Sequence, residues 1–204
     1  MFLPCRVRIT SGFILLASWF VLVNGWEPLA TVLGAAGVHE LGHWLVLQGL
    51  GAPVTGFRLS TLGAVLETDS GRLSYGEELS AILAGPAGNL LAALVLTFLG
   101  KGRWPAAVGA NLVLCVFNLL PIRPLDGGRA LYLLVSWLAG PAAGETAAFL
   151  AGSAAAAALA AALGYVMWRT GGSLWLLPAL LASVQWSFFP WLSRFGSLGT
   201  DGFP

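Results

Sequence analysis

Apolar runs of membrane-spanning length, separated by short Gly- and Pro-containing breaks, constrain this chain more than any other feature. A bilayer core about 30 Å thick needs about 20 apolar residues in a helix. Six segments approach that: Ile9 to Asn24, Leu29 to Leu50, Leu79 to Gly100, Ala106 to Leu120, Glu145 to Trp168 and Leu174 to Trp191. Backbone polar groups in hydrocarbon must be satisfied within the protein, which selects helices. Charged residues make up 9% of the chain and hydrophobic ones 57%, whereas an ordinary soluble domain is about 25% charged. The expected fold is therefore an all-α polytopic membrane protein with about six transmembrane helices. A net charge of +1 gives no footprint for nucleic acid.

The breaks between the spans are informative. Gly25 and Glu27-Pro28 end the first span, and the first ten residues, with Arg6 and Arg8, resemble the start of a signal peptide. No convincing small-x-small cleavage site follows, so this run is expected to stay as the first span. Between the second and third spans, Gly51 to Glu78 holds four of the nine acids, Glu67, Asp69, Glu77 and Glu78. Inside it, Val54 to Glu67 is rich in β-formers around a central Leu-Gly and allows a short hairpin. Pro121 to Arg129 is too rich in breakers for continuous helix, and Ala130 to Ala139 is a short apolar segment. Cys5 and Cys115 read as free thiols.

Against this background, Val38-His39-Glu40-Leu41-Gly42-His43-Trp44 stands out. His39 and His43 are the only histidines and lie four apart in an apolar run, so a helix places both imidazoles on one face. Such a pair can share a tetrahedral Zn²⁺, and the adjacent Glu40 can take a proton from water activated by the metal. HExxH also occurs by chance. Within a span, however, ionisable groups are costly and mark function.

Lys/Arg bias favours a cytoplasmic N-terminus, because Arg6, Arg8, Arg58, Arg72, Arg123, Arg129 and Arg194 then lie inside and only Lys101, Arg103 and Arg169 outside. His43 is then on the order of 10 Å from the cytoplasmic end of its span, counting 1.5 Å per residue to Leu50. Asp126 follows the fourth span, which ends on the same side. A catalytic zinc site needs three protein ligands, and Asp126 is a candidate third; alone, it also reads as a residue of an Asp-Gly turn. Asn118 either positions that loop, contacts substrate or bonds between helices; Asn89 is similar, and Asn111 reads as interhelical glue.

The segment Asn118-Leu-Leu-Pro121-Ile-Arg-Pro124-Leu-Asp126-Gly127 resembles the second signature of the site-2 protease family of intramembrane zinc metalloproteases. His39 to His43 resembles its first, and Ala84-Gly85-Pro86-Ala87-Gly88-Asn89 its middle-span motif. Within the family, Leu-Pro-Ile-x-Pro-Leu-Asp-Gly-Gly-Arg is most similar to the sporulation-type branch. The resemblance implies one Zn²⁺ per chain on His39, His43 and Asp126, with Glu40 as general base. The family places a β hairpin between its second and third spans, so Val54 to Glu67 reads either as a hairpin whose free edge pairs with an unwound substrate segment or as an ordinary cytoplasmic loop; Gly63, Asn89 and Asn118 are candidate substrate-binding or positioning residues. On this basis residues 1–204 form one membrane-embedded metalloprotease domain with a core at about 29–132 and no soluble regulatory domain. It would be an integral multi-pass protein of a bacterial cell membrane, with both termini cytoplasmic and homo-oligomer formation left open. Its partners are lipid and a substrate with a transmembrane segment. The rival expectation is a metal-binding membrane protein without hydrolysis, such as a transporter or sensor.

Overall fold

The computed structural model describes residues 6–52, 54–60, 63–68 and 73–170. These fall into two compact units divided between Leu119 and Leu120. The described chain is mostly helical, with six helices and a three-stranded sheet.

The first unit opens with strand β1 (Arg6–Ile9) and helix α1 (Ser11–Asn24). Thr10 caps α1, its hydroxyl accepting from the Phe13 N–H at 3.3 Å as an N-cap threonine does. Gly25, at φ 86°, turns the chain into α2 (Trp26–Gly49). The helix thus begins before Glu27-Pro28 rather than after it. Proline in the first turn costs nothing, because the first four N–H groups lack helical partners in any case.

After α2 come β2 (Val54–Ser60) and β3 (Gly63–Thr68), which pair antiparallel, Ser60 opposite Gly63. Strand β1 joins the other edge of β2 in parallel, Arg6 opposite Gly56 and Ile9 opposite Leu59. The sequence alone marks residues 6–8 as a basic flank and Ile9 as the start of the first span, with no sign of a strand. The sheet packs over the ends of α2 and α3: Val54 and Leu66 cover a buried cluster of Leu47, Ala52 and Ala81.

Helix α3 (Tyr75–Gly100) starts at a capping box in which the Glu77 N–H donates to Ser74 Oγ and the Ser74 N–H donates to Glu77 Oε2 at 2.8 Å. Both donors are orphans without it, so α3 begins four residues before the apolar run suggests. Pro86 lies inside α3 and removes the helical donor to the Ile82 carbonyl. Lys101 and Gly102, both at positive φ, end the helix, and α4 (Pro105–Asn118) follows with Pro105 in its first turn. Helices α2 and α3 approach closely because Gly42 lies against the Ala84 carbonyl, where a Cβ would collide with it.

In the second unit, α5 (Asp126–Ala139) and α6 (Pro141–Arg169) meet at Gly140, φ 88°. Asp126-Gly127-Gly128-Arg129 therefore forms the first turn of a helix, and the breaker stretch ends at Leu125. The last turn of α5 packs on the start of α6 through Ser136 and Gly144, where a Cβ would strike the serine hydroxyl. Ile122 and Leu125 fold inward onto Ala156.

Among the described residues, two helices, α3 and α6, are long and apolar enough to cross a membrane. Helices α1 and α4 have 14 residues each, about 21 Å at 1.5 Å per residue. Helix α2 has 24 residues but interrupts its apolar run with Glu27, His39, Glu40, His43 and Gln48. The expected sixth span, Leu174 to Trp191, and Cys5 lie outside the described residues. Cys115 is a buried free thiol.

Candidate metal centre

Helical spacing in α2 brings His39 and His43 together as the sequence requires. Their Nε2 atoms are 3.0 Å apart and the rings meet edge to face, 4.7 Å between centroids at 83°. The outer nitrogens are both engaged by the protein. His43 Nδ1 lies 2.8 Å from the Ala81 carbonyl oxygen and His39 Nδ1 lies 2.7 Å from Asn89 Oδ1.

Those partners decide the chemistry of the pair. A carbonyl oxygen only accepts, so His43 Nδ1 carries the proton and His43 Nε2 presents its lone pair. The same holds for His39 if Asn89 presents oxygen, and its surroundings require that. Asn89 Nδ2 is 2.8 Å from both the Ala35 carbonyl and Asn111 Oδ1, two acceptors that a flipped amide would face with its own oxygen. Two Nε2 lone pairs directed at each other repel unless a cation joins them. Tetrahedral zinc with bonds of 2.0–2.1 Å spaces two nitrogen ligands about 3.3 Å apart, close to the separation found. The donor set thus fits a divalent metal ion, and each ligand has the outer partner that such histidines need.

Gly85 makes the pair sterically feasible. A Cβ there would run into His43 Nε2 and crowd the Cε1 atoms of both rings. Gly85 and Asn89, one turn apart on α3, thus respectively leave space for the imidazoles and orient one of them. Glu40, next to His39 on α2, is half-buried.

The remaining sequence candidates are placed as follows. Asn118 ends α4 and its Nδ2 donates to the Leu114 carbonyl of its own helix at 3.0 Å. Gly63 begins β3. Asp126, in the second unit, is the first residue of α5, where the helix dipole favours a carboxylate. The approach to it is fixed by backbone bonds, Leu125 N–H to the Ile122 carbonyl at 2.8 Å and Arg129 N–H to the Leu125 carbonyl at 3.2 Å. Gly128 lies so close beneath Ile122 that a Cβ would strike its carbonyl group. Arg123 forms an exposed ion pair with Glu145 at 3.1 Å and lies over the Tyr132 ring.

Asn111, which the sequence marks as interhelical glue, does bond to a neighbouring helix through Asn89; the sequence does not show that its partner is the amide that faces His39, nor that Gly85 makes room for the imidazoles. A polar amide in each of two neighbouring apolar helices was the available signal, but only packing shows that the two amides meet.

The described chain is thus largely helical, carries two helices long and apolar enough to cross a membrane, and holds a histidine pair whose donor set fits a metal ion. Its fold matches that of the site-2 protease from Methanocaldococcus jannaschii, with a TM-score of 0.62 at 24% identity over 89% of this chain and 90% of that one. In sequence it is 30% identical over 138 residues to stage IV sporulation protein FB of Bacillus subtilis, covering 64% of this chain and 48% of that protein. It is also 29% identical over 150 residues to a zinc metalloprotease of M. jannaschii, covering 67% of this chain and 44% of that one. No protein-family model matches the chain. The chain spans less than half the length of the curated relatives it matches. In fold the chain thus resembles a site-2 protease, and in sequence it is similar to curated zinc metalloproteases and to the sporulation-type protein.

Proposed function

We propose that this chain is an intramembrane zinc endopeptidase that hydrolyses a peptide bond of a transmembrane or membrane-bound protein near the cytoplasmic face. The observation that carries the proposal is the His39–His43 pair, with both Nε2 atoms converging and both Nδ1 atoms engaged, beside Glu40 in an apolar helix. His39 and His43 hold the zinc together with Asp126, whose assignment rests on the Asn118 to Gly127 sequence pattern and on the need for a third ligand.

Zinc bound there lowers the pKa of water to about 7 and polarises a carbonyl. Glu40 accepts the proton of the attacking water and delivers it to the leaving amine. Asn89 and Ala81 hold the imidazoles so that neither ligand reorients as charge develops. A substrate helix hides its scissile bonds in its own hydrogen bonds and must extend first. Strand β3, which begins at Gly63 and ends the sheet order β1-β2-β3, is a suitable edge for an extended segment to join.

The cytoplasmic orientation rests on the Lys/Arg bias; the pairing of β1 with β2 bears only on which segments share a side. That pairing requires the N-terminal flank and the α2–α3 connection to lie on one membrane side. The natural location is a bacterial cell membrane.

The experiment compares wild-type chain with Glu40→Gln and His39→Ala after reconstitution with a panel of transmembrane peptides. Glu40→Gln keeps one zinc per chain and loses cleavage, whereas His39→Ala loses both. Cleavage by Glu40→Gln overturns the mechanism. Zinc binding without cleavage of any peptide by wild type points instead to a non-hydrolytic metal protein.

A further inference from the structure

We infer that Asn111, on α4, is a positioning residue for the metal: acting through Asn89, it fixes the tautomer in which His39 offers Nε2 to the ion. The inference rests on the metal-centre reading above and extends it to a residue that touches neither histidine.

The argument follows the donors. Asn111 Nδ2 donates to the Ala107 carbonyl of its own helix at 2.9 Å, which turns Asn111 Oδ1 away from that carbonyl and toward α3. Asn89 Nδ2 donates to this oxygen and to the Ala35 carbonyl of α2, each at 2.8 Å. Both amide protons of Asn89 are then used, and only Oδ1 remains to face His39 Nδ1 at 2.7 Å. His39 Nδ1 must therefore carry the proton, and Nε2 the lone pair. Each group has one assignment, because reversing any amide sets oxygen against oxygen. The relay lies out of water: Asn89 is 0%, Asn111 4% and His39 5% exposed, so a mismatch has no solvent to absorb it.

The two histidines differ here. His43 is fixed by a main-chain carbonyl that no substitution removes, whereas His39 depends on two side chains on two other helices. Glue between helices alone would leave metal affinity unchanged when Asn111 is replaced; the relay would not.

The test measures zinc affinity of the full chain in detergent by chelator competition. Asn111→Leu, which removes the acceptor, is expected to weaken zinc binding by about 10- to 100-fold, the usual effect of losing an outer partner of a ligand. Asn111→Asp, whose buried carboxyl in its protonated form donates to the Ala107 carbonyl and keeps an oxygen facing Asn89, is expected to retain near-wild-type affinity. Unchanged affinity in Asn111→Leu, or equal loss in both variants, overturns the inference. Should Asn111→Leu fail to fold, ¹⁵N spectra of the two histidines in metal-free wild type decide it. His39 protonated on Nδ1 alone at alkaline pH supports the relay, and protonation on Nε2 overturns it. Wild type that binds no zinc sinks the metal reading, while the tautomer is still read from those spectra.

Discussion

The histidine pair in the first unit and the start of α5 in the second are held in place by opposite means. His39 depends on side chains from other helices, Asn89 directly and Asn111 behind it. Asp126 follows a segment held by its own backbone, with Ile122 and Leu125 folded into the core and Gly128 beneath. Side-chain networks tolerate no loss of a member, because each partner removed leaves another buried polar atom unmatched. A backbone-held turn tolerates side-chain change except where a new atom enters its contact surface. The first region should therefore fail in metal affinity and the second in stability.

Gly85→Ala is the sharpest way to break that contrast. The added Cβ enters the space of the imidazoles, while alanine gains about 1 kcal/mol of helix propensity over glycine. Zinc binding should be lost while thermal stability changes little, as read by metal titration and by melting. Retained zinc would show that the rings have room to retreat. Gly128→Ala should do the reverse, since its Cβ meets the Ile122 main chain. Overpacking of this kind costs about 1–3 kcal/mol, visible as a lowered melting temperature. Smallest is Arg123→Ala. The Arg123–Glu145 pair is about half exposed on both sides, so its removal should change stability by no more than about 1 kcal/mol, and a larger drop would mean that the turn relies on side chains after all.

The closeness of the two imidazoles is legible because its information is local: four residues of helix set their geometry, whatever surrounds them. Gly25 was also read as a break between helices. Helix starts were read late wherever proline or polar residues precede the apolar run. Pro28 and Pro141 lie in the first turns of α2 and α6, ahead of the apolar runs that mark those helices in the sequence, and Ser74 with Glu77 begins α3 ahead of its apolar stretch. Strand β1 is four residues long, too short for an alternation pattern, and its partner is far along the chain. The Asn111–Asn89 contact depends on the register between α3 and α4, which no single-helix periodicity encodes.

The pairing of β1 with β2 also has a consequence for biogenesis. Strand β1 is synthesised first but must wait for β2, which emerges only after α1 and α2. Parallel strands need a crossover connection, and here the crossover is the α1–α2 pair itself. Closure of this small sheet therefore waits until the α1–α2 pair has been made and has brought the chain back beside β1.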